Sequence, residues 1–137
     1  MPSLTGVLET SLYVADVARA AQFYRTVLQL EVLTSDARFC ALNVDGHQLL
    51  LLFKKGASSS PMPTSGGMIP PHDGNGSLHM AFAIAASELP AWEIRLREAQ
   101  VPIESRVMWP RGGHSLYFRD PDGHLIELAT PGVWSIY

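Results

Sequence analysis

Leu8-Glu9-Thr10-Ser11-Leu12-Tyr13-Val14 and Leu78-His79-Met80-Ala81-Phe82-Ala83-Ile84 decide the fold, because at an offset of 70 the first lies over the second. In this register Glu9 falls on His79. Near the ends of the two halves the offset becomes 77. There Asp45-Gly46-His47-Gln48-Leu49-Leu50 lies over Asp122-Gly123-His124-Leu125-Ile126-Glu127, which sets Glu127 on Leu50. Self-similarity of this kind marks a structural unit used twice.

Working outward from the first segment, Val7 to Val14 alternates Leu8, Thr10, Leu12 and Val14 with Glu9, Ser11 and Tyr13, the period of a half-buried strand with Glu9 on its more polar side. Asp16 then stands as an N-cap, and Val17, Ala20, Ala21, Tyr24, Val27 and Leu28 recur at helical spacing, so 17–28 reads as an amphipathic helix. Three strand-like runs follow at 31–35, 38–44 and 47–53, the last two joined by an Asp45-Gly46 turn. Residues 55–77 turn to Gly, Ser and Pro without hydrophobic period and read as a connecting loop, either a linker or a lid; Met62, Met68 and Ile69 favour one that packs. The second half repeats the plan. Leu78 to Ala85 is a strand, Ser87 caps a helix at 88–99 with Leu89, Trp92, Leu96 and Ala99 inward, and strands follow at 103–108, 114–119 and 124–129. The expected fold is α+β: a single domain over 1–137 made of two βαβββ units, 4–54 and 78–130, with a tail at 131–137 and sheets curled into a cup.

Composition narrows the function classes. The chain has 137 residues, 47% hydrophobic and 17% charged, enough apolar surface for a folded domain. A net charge of -3 without a Lys/Arg cluster argues against nucleic acid. No apolar run reaches the roughly 18 residues that span a bilayer, and Met1 to Val14 has neither a basic n-region nor a small-residue cleavage site, so no membrane association and a cytoplasmic location are expected. The single cysteine, Cys40, has no disulfide partner within the chain and reads as a buried apolar filler.

An ionisable group on a strand side that is otherwise small or apolar needs a reason. His79 shares its side with Ala81, Ala83 and Ala85, which leave open volume, and Glu9 and Glu127 raise the same question. Glu9 and His79 occupy equivalent places in the first strands of the two units, so pseudo-twofold pairing brings them together with Glu127. One imidazole and two carboxylates suit a divalent first-row ion such as Mn²⁺, Fe²⁺, Ni²⁺ or Zn²⁺ with positions left open.

With these residues in view, the chain resembles the vicinal oxygen chelate superfamily, which includes glyoxalase I, fosfomycin-resistance proteins, bleomycin-resistance proteins and extradiol dioxygenases. The resemblance runs over nearly the whole chain and is carried by Leu8 to Asp16 (LETSLYVAD), Ala21 to Tyr24 (AQFY), Leu78 to Ile84 (LHMAFAI) and above all Asp120 to Leu128 (DPDGHLIEL). It implies that Glu9, His79 and Glu127 hold the metal. Glu9 departs in type from the family's usual His or Gln, and the fourth ligand of glyoxalase I falls on Leu50 or, with a one-residue gap, Leu51, neither of which binds metal. The pattern is therefore closest to the three-ligand fosfomycin-resistance branch, and one His with two carboxylates reverses the balance that dioxygenases use for Fe²⁺. Ser115 and Tyr117 match substrate contacts of that branch, and Ser11 and Tyr13, beside Glu9, join them as expected contacts, whereas the branch's last basic residue falls near Ile136.

Tyr117, His114 and Arg111 are the candidates for acid–base or orienting roles. His47, His72 and His124 are expected at the surface, and Trp134 and Tyr137 either wall the pocket or dock on a partner chain. Two functions remain in play. One is a metalloenzyme of isomerase, lyase or transferase chemistry acting on a small oxygen-rich molecule by bidentate chelation. The other is a metal-free binding protein of the bleomycin-resistance type. A homodimer is expected, with the ligands drawn either from one chain or from two.

Overall fold

Alternating burial along Glu9–Val14 (β1) sets the plan of the first half: Leu12 and Val14 are buried, whereas Glu9 and Ser11 are exposed. The computed structural model describes every residue from Met1 to Tyr137. It divides into two compact units, Met1–Gly76 and Ser77–Tyr137.

In the first unit β1 is followed by the helix α1 (Val17–Thr26) and the strands β2 (Glu31–Ser35), β3 (Phe39–Val44) and β4 (Gln48–Lys54). The Asp16 carboxylate accepts from the Arg19 amide at 3.1 Å, which caps α1 as its sequence predicts. The strands form one sheet in the order β1-β4-β3-β2, with β1 and β4 parallel and the other pairs antiparallel. Val14, Cys40, Leu42, Leu50 and Leu52 are fully buried, as are Ala20 and Tyr24 of α1, and together they make the core between sheet and helix. Cys40 is buried as expected. The opposite face carries Glu9, Ser11 and Tyr13, paired with Leu49, Leu51 and Phe53. The loop expected over 55–77 holds a short hairpin, β5 (Met62–Thr64) and β6 (Gly67–Ile69). Three-residue strands containing Pro63 and Gly67 have no room for a hydrophobic period, so pattern reading passes over them.

The second unit repeats the plan with β7 (His79–Ala83), α2 (Leu89–Glu98), β8 (Ser105–Met108), β9 (His114–Arg119) and β10 (Leu125–Ala129). Its sheet order is β7-β10-β9-β8, again with one parallel pair at the β7 edge. Ser87 is not the helix cap: it lies inside a 3-10 turn, Ala86–Glu88, and α2 starts from Glu88 without a side-chain cap, with Pro90 in its first turn. Leu96 is the fully buried residue of α2, while Leu89 and Trp92 are half-buried and Ala99 is exposed. No helix is long and apolar enough to cross a membrane.

The register corrects one equivalence. Glu9 pairs with Leu49 and Ser11 with Leu51, just as His79 pairs with Leu125 and Ala81 with Glu127. With Glu9 set on His79, Glu127 therefore corresponds to Leu51, on the open face, and Leu50 points into the core beneath α1. Because side chains alternate every residue along a strand, that one-residue shift exchanges the two faces.

Candidate functional site

In unit 2, β7, β9 and β10 bring His79, Ser115, Tyr117 and Glu127 onto one face of the sheet. Glu127 stands opposite Tyr117, one pair along from Ser115–Ala129, and His79 lies opposite Leu125. The helix-side face, with Leu116, Phe118, Ile126 and Leu128, is the buried core. Ala81, Ala83 and Ala85 leave the His79 edge open, and all three are exposed.

Hydrogen bonds fix how this face is aimed. The His79 Nδ1 lies 2.9 Å from the Leu125 carbonyl, which has no proton to give, so Nδ1 carries the hydrogen. In the neutral ring Nε2 then presents its lone pair, and it does so toward Glu127 Oε1 at 3.3 Å. Two lone pairs facing each other call for a cation between them, a proton or a metal. The other carboxylate oxygen, Oε2, accepts from the Ser115 hydroxyl at 2.6 Å, and Ser115 Oγ accepts from Trp109 Nε1 at 2.8 Å. Ser115 is buried and the Glu127 side chain is 8% exposed, whereas His79 is 50% exposed. Glu127 is thus held from behind by a Trp109–Ser115 chain, with its free oxygen turned to the open side.

The pair fits a metal. Two donors bound to one ion at about 2.1 Å, at a cis angle of about 90–109°, stand about 3.0–3.4 Å apart. The observed 3.3 Å falls in that range. A ring nitrogen with its second nitrogen bonded to a carbonyl, and a carboxylate with its second oxygen bonded to a hydroxyl, are the outer-shell arrangements that orient metal ligands. Nowhere does the chain gather three or more His, Cys, Asp or Glu side chains into such a group. Unit 2 by itself supplies two donors.

Tyr117 completes this face. Burial raises its phenol above the usual range, and the Glu127 charge adds to the effect, so the hydroxyl stays protonated well past neutrality. Its ring lies 6.2 Å from that of His79. His114 is half-buried and its amide donates to Thr130 Oγ1, while Arg111 is exposed.

Unit 1 holds a cavity of about 570 Å³ on the open face of its sheet. Glu9, Ser11 and Tyr13 line it from β1, Leu51 and Phe53 from β4, and the 55–77 segment covers it with Met62, Ile69 and His72. His72, expected at the surface, is half-buried: its Nδ1 bonds the Tyr13 hydroxyl at 2.7 Å, and its ring packs edge-on to Phe53 at 4.6 Å. Burial, and after it the charge of Asp73, raises the Tyr13 phenol. Asp73 is itself held below the usual carboxylate range by the amides of Gly56 and Gly74. The aromatic lining escapes sequence reading because Tyr13, Phe39, Phe53 and His72 are far apart along the chain, and the alternation of 9, 11 and 13 was the one available signal.

His124 is a second departure from surface expectation. It is fully buried, its Nδ1 accepts from the Leu78 amide at 2.9 Å, and its own amide donates to the Asp120 carboxylate that builds the turn. The bond anchors the residue just before His79. His47 is exposed as expected. In the tail, the Tyr137 hydroxyl is shared between the carbonyls of Ile84 and Ala129 at 3.0 and 3.1 Å, and Trp134 is 71% exposed.

Residues 6–128 match the Glyoxalase/Bleomycin resistance protein/Dioxygenase superfamily, and with its two βαβββ units the chain belongs to that superfamily. Within it, the chain is similar to the metallothiol transferase FosB of Staphylococcus epidermidis, 30% identical over 93% of this chain and 84% of that protein. Among solved structures it is similar to a lactoylglutathione lyase from Agrobacterium tumefaciens, with a TM-score of 0.87 and 32% identity over 98% of this chain and 99% of that one. The fosfomycin resistance protein FosX from Listeria monocytogenes shares the fold, with a TM-score of 0.67 and 19% identity over 93% and 94% of the two chains.

Proposed function

We propose that this protein is a metal-dependent transferase that joins a thiol to a small oxygen-rich molecule, with His79, Glu127 and Glu9 as its metal ligands. The observation that carries the reading is His79 Nε2 set 3.3 Å from a buried carboxylate oxygen that Ser115 and Trp109 hold in place. The similar proteins support the thiol: one is named a metallothiol transferase, and the other a lyase of a glutathione adduct. Transfer is favoured over lyase chemistry because the position that corresponds to Glu127 in unit 1 is Leu51, which offers no fourth ligand.

A nitrogen and hard oxygens suit Mn²⁺, Fe²⁺, Ni²⁺ or Zn²⁺. When bound, the ion supplies Lewis-acid stabilisation of negative charge on substrate oxygen. The residues of the chain do the rest. Glu127 and His79 fix the donor geometry, and Tyr117, protonated and on the same face, donates a hydrogen bond to substrate oxygen. Ser115, expected as a substrate contact, is buried: it spends its proton on Glu127 and accepts from Trp109, so its part is to aim Glu127. Ser11 and Tyr13 line the cavity of unit 1 as the expected substrate contacts there. His114 falls on the face of β9 shared with Leu116 and Phe118, because side chains alternate along a strand, and so is turned away from Glu127; Arg111 is exposed in the turn before β9, which leaves Tyr117 as the candidate beside the carboxylate.

The working form in this reading is a cytoplasmic homodimer, in which Glu9 of one subunit meets His79 and Glu127 of its partner. In its own sheet β1 is an edge strand, as is β7 in the other, and edges of this kind seek cover. Val7 and Leu8, just ahead of β1, are 61% and 68% exposed, and the Glu9 carboxylate has no partner. The rival reading, a metal-free binding protein, draws on the aromatic cavity of unit 1.

Metal analysis separates the two. The proposal expects about one divalent ion per chain and its loss in Glu127→Ala and His79→Ala, since two remaining ligands seldom retain an exchangeable ion. Mixing Glu9→Ala with His79→Ala under subunit exchange restores one intact site per heterodimer. Stoichiometric metal in both Glu127→Ala and His79→Ala refutes the site, and no recovery on mixing refutes its sharing between subunits.

A further inference from the structure

The cavity of unit 1 has two chemically different ends. Strand pairing puts Glu9, Leu49 and Asn43 in one row across the sheet, and Tyr13, Phe53 and Phe39 in another. Four residues of strand separate the rows, about 14 Å at ~3.4 Å per residue. Arg38 immediately precedes Phe39 and lines the cavity at the aromatic end. There its carbonyl accepts from the Lys54 amide, and its guanidinium is aimed by bonds from Nη2 to the Ala57 carbonyl and to Met62 Sδ, at 2.9 and 3.3 Å. Nε and Nη1 have no protein partner, and no carboxylate pairs with this cation. Asp36, its nearest acidic neighbour in sequence, uses Oδ1 to accept from the amides of Arg38 and Phe39 instead.

An oriented, unpaired guanidinium at the edge of an aromatic wall is a ready receptor for a planar anion, because the fork of two N–H groups matches a carboxylate and the rings accept the apolar body beside it. The wall at this end is apolar: Tyr13 is already bonded to His72, and the side chains of Phe39, Phe53, Leu51 and Ile69 have no polar atoms, while Ser11, Ser58, Ser60 and Asp36 give the cavity a polar border. At about 570 Å³ the space suits a molecule of one or two rings.

We infer that this cavity binds an elongated organic anion whose aromatic body lies on Tyr13, Phe53 and Phe39 and whose carboxylate meets Arg38. The inference rests on the proposed function only in placing the reacting end of the molecule at Glu9. The binding energy from body and carboxylate is remote from that end and serves to hold it in position.

The test uses the full-length protein as purified, its metal content measured alongside, titrated calorimetrically with 2-naphthoate and with its neutral isostere 2-naphthamide. The naphthoate is expected to bind about tenfold more tightly than the amide, the increment of one charge-assisted contact. Arg38→Gln is expected to erase that difference while leaving amide binding unchanged, and Arg38→Lys to keep part of it, which guards against a loop that has simply loosened. His79→Ala is expected to bind naphthoate like the wild type while losing metal, so failure of the metal site and failure of this inference are distinguishable. Equal affinity for the two probes, an unchanged preference in Arg38→Gln, or no binding of either because a second copy of the chain covers the cavity would each overturn it.

Discussion

Replacing Ser115 with alanine removes the hydroxyl that sits between Trp109 Nε1 and Glu127 Oε2. Two bonds disappear, at 2.8 and 2.6 Å, and one of them is to a carboxylate that is only 8% exposed. Hydrogen bonds to a charged group contribute roughly 1.5–3 kcal/mol, and the indole N–H left behind has no acceptor. Part of this cost appears as lower stability. In the proposed metal site the rest is expected in ion binding, because without Ser115 the second carboxylate oxygen is no longer aimed at His79 Nε2. Loss of an outer-shell partner typically weakens a metal site about 10–100-fold. We therefore expect Ser115→Ala to raise the Kd for Mn²⁺ or Zn²⁺ by about 10–100-fold in calorimetric titration, with an unchanged circular dichroism spectrum. Trp109→Phe, which removes only the outer bond, is expected to have a smaller effect in the same direction. Ser115→Thr keeps the hydroxyl on a strand position that tolerates branching and is expected to restore most of the affinity, a rescue that a merely destabilising lesion would not show. A folded Ser115→Ala protein with metal affinity within twofold of the wild type would refute the reasoning.

Leu50→Glu is expected to abolish cooperative unfolding or lower its midpoint drastically, since an unpaired carboxylate beneath α1 costs several kcal/mol, whereas Leu51→Glu, facing the cavity, is expected to fold; parallel thermal melts decide. Gly74→Ala places a methyl against the Tyr13 ring and is expected to break the Tyr13–His72 bond at a cost of about 1–3 kcal/mol, read from denaturant midpoints and from loss of the paired ring shifts by NMR. Asp73 has its folded pKa depressed by the Gly56 and Gly74 amides, so its anchoring of the 55–77 segment is present above the ordinary carboxylate pKa, near ~4, and is lost as pH falls through the lower folded value. Amide exchange at Gly56 is expected to accelerate only below that range, and Asp73→Asn to make the rate insensitive to pH beyond the intrinsic chemistry. His124→Phe leaves the Leu78 amide without its acceptor and is expected to destabilise unit 2 by about 1–3 kcal/mol, with protection lost first at the start of β7.

Much of the molecule is legible in the linear sequence. Alternation along 9–14 and 79–83 and helical spacing over 17–26 depend on contacts within a few residues, and such local periodicities survive in the linear chain. The internal comparison that set Glu9 on His79 exposed the repeated βαβββ plan, and it singled out His79 and Glu127, which the sheet does bring together. What tertiary structure alone decided is everything that depends on register and on distant partners. Whether Leu50 or Leu51 corresponds to Glu127 turns on a single-residue slip, invisible in an alignment of turn motifs and settled by the ladder between β1 and β4. His124 follows an Asp-Gly turn, a position that usually faces water, yet the Asp120 carboxylate folds the turn back and hands the ring to the Leu78 amide, a partner 46 residues away. Ser115 reads as a polar residue on a strand. That its proton belongs to Glu127, and that Arg38 stands uncompensated at the end of an aromatic wall, follow from side chains meeting across the sheet, because hydrogen bonds and charges are satisfied in space and not along the chain.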